Sequence, residues 1–145
     1  MRSTNPHNDY VKLHGSIDWF SDLNGKVVRT VEPFSEYKRG IMIYPTSEKP
    51  LYLEPWIRLL MLFKRALAQS LYWVVIGYSF NDEYTRNIIL ETLSRGFHKL
   101  AIIGRSGTDT KNRFFDRYSN VRGFDCEVQD IVNCKREIVD WIRGA

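Results

Sequence analysis

Cysteine is scarce in this chain: of 145 residues only Cys126 and Cys134 are cysteine, with seven residues between them. A structural zinc site takes four Cys or His ligands, usually with two of them in a close C-x-x-C-like pair, so no zinc is expected. A disulfide is not expected either, if the protein works in the reducing cytoplasm. Long apolar runs are missing too. The best one, residues 59–63, is followed at once by Lys64 and Arg65, far short of the ~20 residues that span a bilayer. Residues 1–9 lack the apolar core of a signal peptide. The expectation is a soluble, cytoplasmic protein with no membrane partner. There is no block of one charge: 21 basic residues stand against 17 acidic ones, a net +4, and the Lys and Arg are scattered singly or in pairs. Nothing in that pattern would grip a phosphate backbone, so nucleic acid is not an expected partner. Modest glycine and proline, set against 14% aromatic residues, exclude disordered, collagen-like and low-complexity classes. The length suits one compact domain over 1–145.

What is present alternates between strand and helix. Residues 10–13 read as a short strand ending in the turn residues His14-Gly15-Ser16. Residues 20–50 are polar and turn-rich, an insertion with a hairpin at Asn24-Gly25 and a short strand over 40–44. A helix begins at Glu54-Pro55 and carries Trp56, Leu59, Leu60, Phe63 and Leu67 at helical spacing. Tyr72-Trp73-Val74-Val75-Ile76-Gly77 is almost continuously apolar, the pattern of a strand buried on both faces. A helix capped by Asp82 and closed by Gly96 follows. Then come a strand at 100–104, a helix over 109–118, a strand at 121–124 and a terminal helix. This is an α/β pattern: a Rossmann-like parallel sheet with helices on both faces and a small hairpin insertion. Ligands of such sheets sit beyond the carboxyl ends of the strands. By this reading those ends are His14-Gly15, Gly77-Tyr78-Ser79 and Gly104-Arg105-Ser106, all on one edge.

Residue by residue, the chemistry has bland and sharp readings. His7 and His98 read as structural. His14 stands at a strand end beside a glycine that lets the chain turn or a ligand approach. The Gly77-Tyr78-Ser79 turn leads into a helix whose N-terminus can hold an anion. Equally, Gly77 only permits a tight strand-to-helix turn.

Two segments resemble one family. Lys12-Leu13-His14-Gly15-Ser16-Ile17-Asp18-Trp19 is similar to the K-L-H-G-S-x-x-W signature of SIR2-like (sirtuin-related) domains. Val74-Val75-Ile76-Gly77-Tyr78-Ser79-Phe80-Asn81-Asp82 resembles their V-x-G-Y-S-F-x-D segment. Both occur in the family's order. The resemblance implies NAD as substrate, with His14 as the catalytic base or polariser beside the nicotinamide ribose. It implies cofactor contacts at Gly15, Gly77 and Ser79, with Tyr78 and Asp82 as further contacts. A contact to the adenosine ribose would follow the next strand, where sirtuins usually carry Asn and this chain has Arg105. Trp19 would line the nicotinamide side or belong to the core.

The departures refine that implication. Protein-deacylating sirtuins carry a four-cysteine zinc module between the two motifs, whereas here no Cys or His lies between Gly15 and Gly77. The chain therefore resembles the zinc-free branch, which hydrolyses NAD in bacterial antiphage defence. The family's Gly-rich G-A-G-x-S loop and its T-x-N-Y-D segment should precede the histidine, and neither is present in the thirteen residues before His14. The expectation is an N-terminally truncated domain that needs an upstream half for activity. The alternative is a catalytically inactive binding or assembly module with the same fold. In either case an open sheet flank would be covered by a second copy or a partner chain. A nucleic-acid module rests only on the net charge, and protein deacylation lacks its zinc ligands.

NAD cleavage needs the ribose held, the oxocarbenium-like cation stabilised and a water positioned. An imidazole with a pKa near 6.5 can accept a proton from water or a ribose hydroxyl at neutral pH.

Overall fold

A computed structural model describes residues 11–24, 26–29, 39–42 and 54–144. The chain divides into two compact units, Met1–Arg65 and Ala66–Ala145. Helix α1 (Trp56–Gln69) runs across the division.

The first unit is built on a small antiparallel sheet. Strand β1 (Gly15–Ser21) lies between β2 (Val27–Arg29) and β3 (Arg39–Met42). The β1–β2 connection is a hairpin as expected. Asp22 shapes its turn, accepting the backbone N–H of Asn24 and Lys26 at 2.9 and 2.8 Å. The hairpin's Gly25, Tyr10 of the expected first strand and Ile43 and Tyr44 of the expected 40–44 strand lie outside the described residues. The strand itself differs from the expectation. Residues 11–13 form no strand, and β1 begins at Gly15 instead of ending just before it. The reason is local: Gly15 N–H bonds Lys12 O at 3.1 Å in a turn, and Gly15 has φ +80°. His14 therefore stands before the start of an antiparallel strand, and the expectation of three carboxyl ends on one parallel-sheet edge does not hold.

The second unit is α/β. Three parallel strands run in the order β4 (Tyr72–Ile76), β5 (Lys99–Gly104), β6 (Val121–Asp125). Helix α2 (Glu83–Leu93) crosses from β4 to β5, α3 (Gly107–Phe115) from β5 to β6, and α4 (Ile131–Arg143) follows a short 3-10 turn. Strand β5 is the centre, with Leu100, Ala101, Ile102 and Ile103 all buried. On one face Ala101, Ile103, Phe124 and Cys126 pack with Ile138 of α4. On the other, Gly123 and Gly107 bring α3 down onto the sheet. A Cβ on Gly123 would stand 2.3 Å from Gly107 O, and one on Gly107 2.7 Å from Ile102 O. Helices thus flank the sheet on both faces.

Among the described residues β4 is an edge strand and only half covered, unlike the two-faced burial its apolar run suggests. Trp73 is buried, while Tyr72, Val74 and Ile76 are 53%, 48% and 46% exposed. The register pairs Val74 with Ala101 and Ile76 with Ile103. The exposed row therefore lies on the α4 face, where α4 packs over β5 and β6.

The residue just before β5 is held by structural contacts. His98 is buried, stacked on Trp73 with ring centroids 4.7 Å apart. Its Nδ1 donates to Ser70 O at 2.8 Å, and its own carbonyl accepts from Asn120 at 2.7 Å. The structural reading of His98 accounts for every one of these contacts.

Candidate functional site at the carboxyl ends of β4 and β5

The turn after β4 is set by a glycine and an aromatic. Gly77 N–H continues the ladder to Ile103 O at 2.9 Å, and the backbone then turns through φ +65°. Phe80, which is fully buried, also has a positive φ, 57°. A bulky residue is held there only if its surroundings over-determine it. Here Phe80 sits edge-on to both Tyr78 and Phe115, with centroids 4.9 Å apart in each case. Its carbonyl accepts Arg86 Nη1 at 2.8 Å. The turn is a rigid shelf anchored from below.

A cavity of about 230 Å³ opens above that shelf, lined by Gly77, Tyr78, Ser79, Gly104, Arg105 and Ser106, among others. No atom lies within 4 Å of where a Cβ would stand on Gly77 or Gly104, so both glycines face open space. Tyr78 lines the cavity with its ring edge-on to Phe80 and its hydroxyl buried. Burial, and then the neighbouring Asp82 carboxylate, push its phenol above the usual range and keep it a neutral hydroxyl at physiological pH. Ser79 and Arg105 are exposed. The volume is below the ~300 Å³ typical of drug-sized pockets. It suits a nucleoside-sized fragment rather than a whole dinucleotide.

The electrostatics differ from the expectation of an anion at the helix N-terminus. Asp82 caps α2 itself: one carboxylate oxygen accepts Tyr84 N–H at 3.2 Å and the other Thr85 Oγ1 at 2.9 Å. The N-terminus of α3 is met in the same way by a residue that sequence reasoning missed. Asp125, at the end of β6, accepts Thr108 N–H at 2.9 Å, while Ser106 makes no side-chain cap. Each helix dipole already faces a carboxylate, which lowers its value as a phosphate cradle. Among the described residues that line the cavity, Arg105 is the cation.

Asp125 provides a stability test. The Thr108 backbone N–H, then the Thr108 hydroxyl, hold its carboxyl below the usual range. A depressed folded-state pKa adds stability above the unfolded value of ~3.9, and that stability is lost as pH falls through the folded value. Asp125→Ala is expected to cost about 1 kcal/mol at pH 7, the usual value of a cap. The gap between wild type and variant in urea midpoints should shrink steadily below pH 4. A gap that is constant from pH 7 to pH 2 would contradict the cap.

His14 and Gly15 belong to the other unit. Gly15 is required by packing: a Cβ there would stand 2.4 Å from Ile41 O of β3. The next residues form a polar cluster that the sequence pattern did not reveal. Lys12 Nζ donates to the buried Ser16 Oγ, and Arg29 Nε donates to Asp18, each at 2.5 Å. The Ser16 hydroxyl, then Arg29, bring the Asp18 carboxyl down to about 2. Trp19, in the same strand, is half-buried.

A larger hollow of about 520 Å³ lies at the opposite end of the second unit, beside Lys99, Asn120, Arg122 and Glu137. Its charges serve the fold. Lys99 Nζ donates to the carbonyls of Trp141 and Ile142 at 3.1 Å each, capping α4, and Arg122 pairs with Glu137. The smaller cavity is the better candidate because it lies where open parallel sheets bind ligands.

Among the described residues no group of three or more His, Cys, Asp or Glu is placed to hold a metal. Among them, too, no helix is long and apolar enough to cross a membrane. No protein-family model matches the sequence, and no curated protein matches it.

Proposed function

We propose that this chain is a SIR2-like NAD-binding domain of the NAD-hydrolase type, as in bacterial antiphage defence, and that the cavity beyond β4 and β5 receives the adenosine end of NAD. The observation that carries the reading is a coincidence of place. The V-x-G-Y-S-F-x-D segment that resembles the family forms the wall of a cavity at the carboxyl edge of a parallel sheet. In this reading Gly77 and Gly104 let the ribose approach the backbone, Ser79 and Arg105 offer hydrogen bonds, and the neutral Tyr78 covers the base. His14 would accept a proton from water or a ribose hydroxyl as nicotinamide leaves. Asp82 and Asp125 occupy the helix N-termini, so the pyrophosphate needs other donors. The family's Gly-rich loop supplies them, and residues 1–145 contain no such loop.

The expected outcome is therefore binding without turnover. Chromatography of NAD incubated with micromolar protein should show no nicotinamide above the protein-free control. Release near the ~10 per second typical of enzymes would mean that the Gly-rich loop is dispensable.

The exposed β4 row favours a second reading, an inactive assembly module. Tyr72, Val74 and Ile76 stand on an uncharged edge strand, the kind of edge that pairs with another chain. Light scattering should show a molar mass rising with concentration, and Val74→Lys should lower it to the monomer value. A concentration-independent monomer in the wild type would remove this reading.

A further inference from the structure

The two cysteines, unremarkable in spacing, converge in the fold. Cys126 follows β6 and is buried in the core cluster with Ala101, Ile103, Phe124 and Ile138, and Cys134 of α4 packs half-buried against that cluster. Both thiols are free. Cys134 packs on the same cluster that holds Cys126, and the Cys126 Sγ donates to Glu127 O at 3.3 Å. We propose that Cys126 and Cys134 form a redox-active dithiol whose reaction partner is a low-molecular-weight disulfide of the glutathione class.

The asymmetry of the pair sets the order of events. Cys134 is the more exposed thiol, so a reagent in solvent reaches it first. The contact with Cys134, then burial, push the Cys126 thiol up to about 11, which leaves it protonated and a poor nucleophile by itself. In the first step Cys134 gives its proton to solvent and its thiolate attacks one sulfur of the reagent, R–S–S–R. The Cys134–S bond to R forms, the reagent's S–S bond breaks, and RS⁻ leaves and takes up a proton. In the second step Cys126 loses its proton to solvent and attacks Cys134 Sγ. The Cys126–Cys134 bond forms, the mixed disulfide breaks, and a second RS⁻ leaves to be protonated. Two protein thiols are oxidised and one reagent disulfide is reduced to two thiols. The bridge would tie the first turns of α4 to the end of β6, next to the Asp125 that caps α3.

The test uses the full chain and oxidised glutathione, with iodoacetamide quenching under denaturing conditions and intact-mass measurement. Wild type should lose two hydrogens and both alkylation sites, and dithiothreitol should restore them. Cys126→Ser should stop at a stable mixed disulfide on Cys134, and Cys134→Ser should stay fully alkylatable. Wild-type protein that keeps both thiols, or that accumulates the mixed disulfide without closing it, overturns the proposal. Reaction of Cys134→Ser at the wild-type rate does so as well. Wild-type closure needs no substitution, so a poorly folding variant leaves the test intact.

Discussion

Gly123→Ala should destabilise the protein by about 3 kcal/mol or more, at the upper end of overpacking costs. The new Cβ would meet Gly107 O at 2.3 Å, Gly107 C at 2.4 Å and Thr108 Cα at 2.6 Å. All three are backbone atoms, so no side chain can rotate aside. The clash must push the first turn of α3 off the sheet, and with it Gly107 and the cap from Thr108 to Asp125. A loss of this size is a large share of the ~5–15 kcal/mol that holds a domain folded. Gly104→Ala is the matched control, because its Cβ would enter open space. Urea unfolding followed by circular dichroism should place the Gly123→Ala midpoint far below wild type and Gly104→Ala close to it. Equal midpoints for the two variants would show that α3 does not pack on the sheet as described.

Phe80→Ala is the second large effect. The ring is fully buried between Tyr78 and Phe115, and emptying such a site costs about 3–5 kcal/mol. The backbone adds a distinguishing feature. At φ 57° an alanine keeps the left-handed strain, about 1–2 kcal/mol for an L-residue. A glycine is free of it and loses about 0.5–1 kcal/mol in chain entropy. Phe80→Gly should therefore be as stable as Phe80→Ala or up to about 1.5 kcal/mol more stable, contrary to their usual order inside regular structure. If Phe80→Ala proves clearly the more stable, the turn beneath the cavity is not held in that strained geometry.

These two positions also show where sequence reasoning stops. Local patterns carried the second unit well: the uniformly apolar 100–104 run is the buried central strand, and Asp82 caps α2 as its position suggests. The same logic failed for β4, because an apolar run records what a strand tolerates on each face and not what covers it. It failed for β1 because a glycine beside a histidine fits either end of a strand. The Lys12–Gly15 turn starts the strand, and the packing that demands the glycine comes from Ile41 of β3, far along the chain. Gly123, Asp125 and the meeting of Cys126 with Cys134 belong to the same class. Each depends on a contact between elements, and none leaves a periodicity or a motif. Of the candidate site, the Gly77-Tyr78-Ser79 wall was readable. The second wall was placed from the end of the next strand, but the carboxylate at α3 was not.

The measurement that bears most directly on the central claim is a calorimetric titration of NAD into the full chain and into Gly104→Leu. The leucine side chain would grow into the open space on the cavity wall, so the fold should keep its melting temperature while the cavity fills. The account predicts a saturable heat of NAD binding in wild type, competed by adenosine, and none in Gly104→Leu. No binding by wild type, or equal binding by a folded Gly104→Leu, would contradict the assignment of this cavity to NAD.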